Sequence, residues 1–333
     1  MKVLILGGTQ FLGRHLTESA LKAGHEVTLF NRGKTNPGLF KNVEYLRGDR
    51  DAGDLNALKG RKWDVVIDTC GYVPRVVKDS AELLADAVAH YTFISTISVY
   101  SDTTIRNMDE NGPVSTLADE TREDVTGETY GALKVLCEKA AEVAMPGRVL
   151  HARSGLIVGP HDPTDRFTYW PVRVALGGEV LAPGNPTMHV QFIDARDEGE
   201  WVLAMAGARK AGVYNLTGPE YTLTMGRLLD ACKNVSRSNA TFTWVNDEFL
   251  LEHEVGPFSE LPLWIPETYN GLQSMNINRA LADGLTFRPL EDTIRDTLKW
   301  NNLRTGADSS IKPRAGMMRD REQELLQAWK EHA

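Results

Sequence analysis

The stretch Lys2-Val3-Leu4-Ile5-Leu6-Gly7-Gly8-Thr9-Gln10-Phe11-Leu12-Gly13 passes from an unbroken aliphatic run through a glycine-rich turn into helix-period sequence. A run without polar alternation suits a strand buried on both faces. Glycines at the following junction allow a tight turn and let backbone N–H groups approach a pyrophosphate, and the helix starting there adds the positive end of its dipole. At a first strand-to-helix junction such a turn predicts a dinucleotide site, with ligands expected among Gly7, Thr9, Gln10, Phe11, Leu12 and Gly13.

Outward from this stretch the same rhythm repeats. Short apolar runs at Val3 to Leu6, Val27 to Phe30, Val43 to Leu46, Val65 to Ile67, Thr92 to Ser95 and Val149 to Ala152 alternate with helix-period segments. The first helix is expected from Phe11 to Ala23, and a later one from Glu128 to Met145, before Pro146-Gly147. This predicts an α/β fold, a doubly wound parallel sheet of the Rossmann type. After about residue 155 the rhythm breaks into Gly- and Pro-marked loops, but a helix over Glu198 to Ala208 and a strand over Gly212 to Leu216 restore it. The expected organisation is a dinucleotide-binding domain over 1–155, with 189–218 returning to it. Residues 156–188 and 219–333 then form a smaller, interrupted α+β substrate domain and C-terminal tail. The tail beyond Leu303 reads as loop until a helix from Arg319 to Trp329, on which Leu325, Leu326 and Trp329 offer a docking face.

Composition narrows the function classes. With 333 residues, 42% hydrophobic and 25% charged, the chain is neither disordered nor collagenous. Its 45 acidic against 37 basic side chains give a net charge of −8, which makes nucleic acid and anionic membranes unfavoured partners and requires any anion site to be local. Cys70, Cys137 and Cys232 form no Cys-x-x-Cys pair, and His151, His161 and His189 stand isolated, so neither a disulfide framework nor a metal site is expected. No leader-like or membrane-length apolar run occurs, which predicts a soluble, cytoplasmic protein.

Four further places carry chemistry. Where the second strand ends, Asn31-Arg32-Gly33-Lys34 lacks the acid that would bond a ribose 2′-hydroxyl and supplies two cations, favouring NADP over NAD as cofactor. Asp49 and Arg50, after the third strand, are expected near the adenine, and Cys70 and Gly71, after the fourth, near the nicotinamide ribose, with Tyr72 facing the substrate. Tyr130-Gly131-Ala132-Leu133-Lys134 puts a phenol and an ammonium on one helix face, where the cation favours the phenolate and equips Tyr130 for proton transfer. The preceding strand signal Ser95-Thr96-Ile97-Ser98-Val99-Tyr100 brings hydroxyls, Ser98 among them, to the ligand end of the sheet. The mixed stretch from His161 to Trp170 is expected to wall the substrate through Arg166 and Tyr169.

Together these motifs resemble the extended short-chain dehydrogenase/reductase family, of the NAD(P)-dependent epimerase/dehydratase type. The resemblance rests on Gly7 to Gly13, Asp64-Val65-Val66-Ile67-Asp68, Ser95 to Tyr100, Tyr130 to Lys134, Val158-Gly159-Pro160, and Phe192-Ile193-Asp194-Ala195-Arg196-Asp197. It implies Tyr130 as catalytic acid/base, Lys134 as its pKa partner and ribose ligand, Thr96 orienting the substrate oxygen, and a homodimer through helices around 77–90 and 130–144. Three departures stand out. Gln10 replaces the middle glycine of the family's loop, Leu133 replaces a serine, and Val190-Gln191 stands where sugar-nucleotide epimerases carry an arginine for the nucleotide phosphates.

The leading expectation is an NADP-dependent oxidoreductase moving hydride to or from a carbonyl or secondary-alcohol carbon of a small polar substrate. One alternative returns the hydride to the same substrate, as a sugar or sugar-nucleotide epimerase or dehydratase does. The other is an RNA-binding or regulatory protein on the same fold, since the family's chloroplast stem-loop-binding members also carry a bulkier residue at the Gln10 position.

Overall fold

The computed structural model describes residues 1–307 and 312–332. The chain begins with β1 (Lys2–Leu6), α1 (Phe11–Lys22), β2 (Glu26–Asn31), β3 (Glu44–Arg47), β4 (Val65–Asp68), α2 (Pro74–Leu84), β5 (His90–Thr96), α3 (Tyr130–Ala144) and β6 (Val149–Ser154). It continues through β7 (Ile157–Val158), α4 (Tyr169–Ala175), β8 (Glu179–Pro183), β9 (Ile193–Asp194), α5 (Ala195–Gly207), β10 (Gly212–Leu216), α6 (Met225–Ser236) and β11 (Thr241–Val245). The last helices are α7 (Asp247–Glu252), α8 (Asn278–Ala282), α9 (Leu290–Ala307) and α10 (Arg319–His332).

Seven strands form one sheet in the order β10-β6-β5-β4-β1-β2-β3, and each adjacent pair is parallel. The order reverses direction between β1 and β4, which is where a doubly wound sheet opens a ligand crevice beyond its strand ends. Both faces are covered, as the apolar runs require. Val3, Ile5 and Ile67 pack with Leu16 and Val202 under α1 and α5, while Leu4, Leu6 and Val66 pack with Val77 and Ala141 under α2 and α3. The returning segment joins the sheet as its rhythm predicts, because β10 pairs with β6 at the sheet edge.

Much of the chain beyond the sheet has its own core. Phe167, Trp170, Leu228, Phe249 and Trp264 are buried between the β8-β11 pair and helices α4, α6 and α9. The terminal helix docks as its apolar positions predict, with Leu325 and Leu326 buried. A buried ion pair that no local pattern announces also ties it down: Glu322 accepts from Arg173 at 2.8 Å. Two boundaries differ from expectation. The tail expected as loop after Leu303 is still α9 through Ala307. The run Ser95 to Tyr100 is strand only to Thr96, whose hydroxyl accepts from Ser98 N at 3.1 Å and turns the chain into a short 3-10 segment.

Candidate functional site

A cleft of about 1030 Å³ runs along the carboxyl ends of the central strands. Its floor at one end is the turn between β1 and α1. Gly7 and Gly8 take φ values of +109° and +88°, open to glycine and costly for other residues, and a Cβ on Gly13 would sit 2.8 Å from Gly8 N. Thr17 donates one hydroxyl proton shared between Gly8 O (2.9 Å) and Gly13 O (2.8 Å), fastening the turn to its own helix. Gln10 is the N-cap of α1 but caps with no side-chain hydrogen bond. The first N–H groups of the helix therefore keep their free donors at the cleft.

The β2 end is stitched to this turn. Asn31 donates to Gly7 O at 2.9 Å, Asn36 to Thr9 O at 2.8 Å, and Thr9 donates back to Thr35 O at 2.9 Å. Arg32 is exposed and lines the cleft with Lys34. A third cation, outside the expected set, stands beside them: Arg47, at the end of β3, donates to Asn31 Oδ1 and lies against Gly33. The signal for it is the parallel register, which pairs Asn31 with Arg47.

At the opposite end, Tyr130 begins α3 and lines the cleft with Thr96 and Ser98. Gly131 makes this approach possible, since any Cβ there would run into the Ser98 carbonyl. Burial pushes the Tyr130 phenol above its ordinary pKa, against the pull of Thr96 and the Arg166 guanidinium. Lys134 is 3% exposed and donates to Gly71 O (2.8 Å) and Ile94 O (2.6 Å), with its ammonium 4.1 Å from the Phe93 ring centroid. Burial brings this ammonium down to about 8. Among the described residues no hydrogen bond joins Lys134 to Tyr130, and the Arg166 guanidinium also acts on the phenol.

Of the other expected residues, Gly7, Thr9, Gln10, Phe11, Leu12, Gly13, Asn31, Asp49, Cys70, Tyr72 and Arg166 line the same cleft. Three of the expected residues stand differently. Arg50 reaches the cleft wall, but its guanidinium is spent internally on Asp68 (2.7 Å to each oxygen), Ser80 (2.9 Å) and the Val76 carbonyl (3.3 Å). Gly71 lies beneath the cleft against Val77 and Phe93, and its carbonyl holds Lys134. Tyr169 faces away, its ring packed on Trp170 and against Gly316.

The far wall is mostly invisible in the sequence. Phe258, Ile265, Leu272 and Gln273 join the cleft from a region with no motif. Gln191, at the family's arginine position, is locked: its Nε2 donates to Met275 O (3.2 Å), its Oε1 accepts from Met275 N (2.7 Å), and its own N–H donates to Gln273 Oε1 (2.6 Å). Behind the cleft-lining Ser154 sits Glu198, wholly buried, accepting the Ser154 hydroxyl at 2.5 Å. Its Oε2 has no partner among the described residues, and burial pushes the carboxyl up to about 8.

A doubly wound parallel sheet with a glycine-rich first turn and a long cleft at the switch point is the architecture of a dinucleotide-binding protein. The chain belongs to the NAD dependent epimerase/dehydratase family, whose sequence model matches residues 3–217. It is 27% identical over 250 residues to the chloroplast stem-loop binding protein of 41 kDa b of Arabidopsis thaliana, a match covering 69% of this chain and 62% of that relative. Among solved structures it superimposes on UDP-glucuronic acid 4-epimerase from Bacillus cereus in complex with NAD, with a TM-score of 0.67 at 17% identity over 91% of this chain and 99% of the other. The human epimerase family protein SDR39U1 with NADPH matches with a TM-score of 0.60 at 20% identity, over 90% and 99% of the two chains. At these identities the structural likeness establishes the fold. Among the described residues no helix is long and apolar enough to cross a membrane.

Proposed function

We propose that the protein is an NADP-dependent oxidoreductase acting on a carbonyl or secondary-alcohol carbon of a small polar substrate, with Tyr130 as the proton-transferring group. The observation that carries this reading is one continuous cleft joining an open helix N-terminus and an acid-free cationic turn to a buried phenol–hydroxyl pair, Tyr130 and Thr96. When bound, the dinucleotide supplies or accepts the hydride. Gly7, Gly8 and the first N–H groups of α1 receive the pyrophosphate, Arg32 and Lys34 the 2′-phosphate, and Asp49 the adenine edge. Thr96 steadies the substrate oxygen. Tyr130, a phenol protonated at neutral pH and shifted further that way by burial, gives its proton to that oxygen as the carbon is reduced and recovers one from solvent. Lys134, with two of its three N–H groups taken by carbonyls, keeps one for the ribose.

Arg32→Ala is the sharpest test of the cofactor assignment. Deleting one charge-assisted hydrogen-bonding partner of the 2′-phosphate should weaken NADPH by roughly ten- to a hundredfold while NADH changes by less than about twofold. Equal weakening of both, measured by fluorescence titration, overturns the 2′-phosphate role. Stoichiometric consumption of NADPH by a carbonyl substrate separates net reduction from the alternative, an epimerase or dehydratase that shows no net cofactor turnover. The family match and its epimerase neighbours favour keeping that alternative. The stem-loop-binding relative motivates a third reading, an RNA-binding or regulatory protein, against which the net charge of −8 weighs. A cytoplasmic location and a homodimer are part of the same proposal. The exposed Val143 beside Leu136 on α3, facing a shallow groove shared with α2, supports the dimer.

A further inference from the structure

Several buried guanidinium groups of this protein have carboxylate partners, and Arg166 at the cleft has none among the described residues. Arg50 pairs with Asp68 at 2.7 Å, Arg153 with Glu138 at 2.8 Å, Arg173 with Glu322 at 2.8 Å and Arg304 with Asp165. Arg166 lines the cleft beside Tyr130, yet among the described residues its only side-chain contacts are Nε to the Thr164 hydroxyl (3.2 Å) and the Phe258 ring, 5.7 Å from its centroid. Its two terminal nitrogens, the forked pair that binds planar anions, make no hydrogen bond among those residues. Asp162 lies close enough to be felt electrostatically, but it makes no ion pair with Arg166; its Oδ1 is taken by the Thr164 N–H (2.8 Å) and hydroxyl (2.7 Å). Leaving a guanidinium desolvated and unpaired is costly unless a ligand completes it.

The surroundings agree. From Gly155 onward, Arg166 is the one charged side chain lining the cleft among the described residues. Gln273, 3% exposed, points the same way: its Oε1 accepts from Gln191 N, and its Nε2 has no partner among the described residues. The wall built by these later residues therefore offers a cation and an amide donor and no acid among the described residues; the acids that line the cleft, Asp49, Asp51 and Glu123, come from earlier in the chain. At the same time Gln191, locked onto Met275, presents no charge to a nucleotide diphosphate.

We infer that Arg166, assisted by Gln273, forms an anion subsite beside Tyr130, and that the substrate is a small molecule carrying a carboxylate or phosphate group near its reacting carbon. This rests on the cofactor reading above for which end of the cleft reacts, but not for the existence of the subsite. Inorganic phosphate and malonate, titrated calorimetrically at constant ionic strength into the protein with and without saturating NADPH, test it. At least one should bind alongside NADPH. Arg166→Met, which keeps the length of the apolar stem and removes the guanidinium, should weaken that binding by about tenfold or more, with Arg166→Lys falling between. Gln273→Glu preserves the acceptor for Gln191 N and should also weaken it, by placing a like charge at the subsite. Tighter phosphate binding assigns a phosphate ester, and tighter malonate binding a carboxylate. Failure of both anions to bind, indifference to Arg166→Met and Gln273→Glu, or anions that simply displace NADPH, would each overturn the subsite. If NADPH itself does not bind, the cofactor reading fails separately, and the titration without it still reads Arg166.

Discussion

Tyr130→Phe should lower reduction of a carbonyl substrate by roughly 10²- to 10⁴-fold, the usual worth of a positioned proton donor, while NADPH affinity stays within about twofold. The ring of Tyr130 is partly buried at the start of α3, so phenylalanine retains its packing and removes only the hydroxyl. A phenol is protonated at neutral pH and burial here shifts it further that way, which makes it a donor in the reductive direction without any preceding ionisation. Single-turnover oxidation of bound NADPH would measure the loss directly, free of product release. A variant that turned over like the parent would remove Tyr130 from the chemistry. Salt-sensitive RNA binding unaffected by the substitution, with no turnover on a broad carbonyl panel, would instead favour the stem-loop-binding reading.

Glu198→Gln should stabilise the protein, increasingly so as the pH rises from about 5 to 9. The folded carboxyl is pushed from 4.5 up to about 8 by burial, so between these values the folded state holds a proton that the unfolded state releases. The stability contributed by this protonated form is complete below pH 4.5 and is lost as the pH climbs through 8. The total is at most about 4 to 5 kcal/mol. Glutamine keeps an oxygen for the Ser154 hydroxyl and has no proton to lose. His90 and His161, both brought down to about 4 by burial, impose the opposite slope between that value and 6.5, but they do so in both proteins and cancel in the difference. Thermal melts across pH should therefore converge near pH 4 and separate by several degrees at pH 9. Parallel curves would mean that Glu198 ionises freely where it sits.

These two residues mark the range of what is legible in the sequence. Tyr130 can be placed at the cleft from the sequence because the signals for it, its spacing from Lys134 and its position after β5, are local. Glu198 cannot, because a glutamate one residue beyond Asp197 on an apolar-striped helix looks like any surface acid until the helix is rotated against β6. The sheet is readable strand by strand, since continuous burial on both faces leaves no polar alternation to confuse. The end of β5 is not, because Thr96 uses its hydroxyl to cap the following turn, a choice that β-branched composition does not disclose. Arg50 sits where a cofactor ligand belongs, but the partner that claims it, Asp68, is brought opposite by the sheet. The wall supplied by Phe258 and Gln273 follows from long-range packing with no local pattern.

The hydrogen bonds that tie Asn31, Thr35 and Asn36 to Gly7 and Thr9 have an evolutionary implication. The segment that carries Arg32 and Lys34 and the glycine-rich turn are mechanically one part in this protein. Replacing the Asn31 or Asn36 side chain would loosen that turn, whereas Arg32 and Lys34, which make none of these bonds, can change without disturbing it. Those two cations can therefore be exchanged one at a time on a frame that stays fixed.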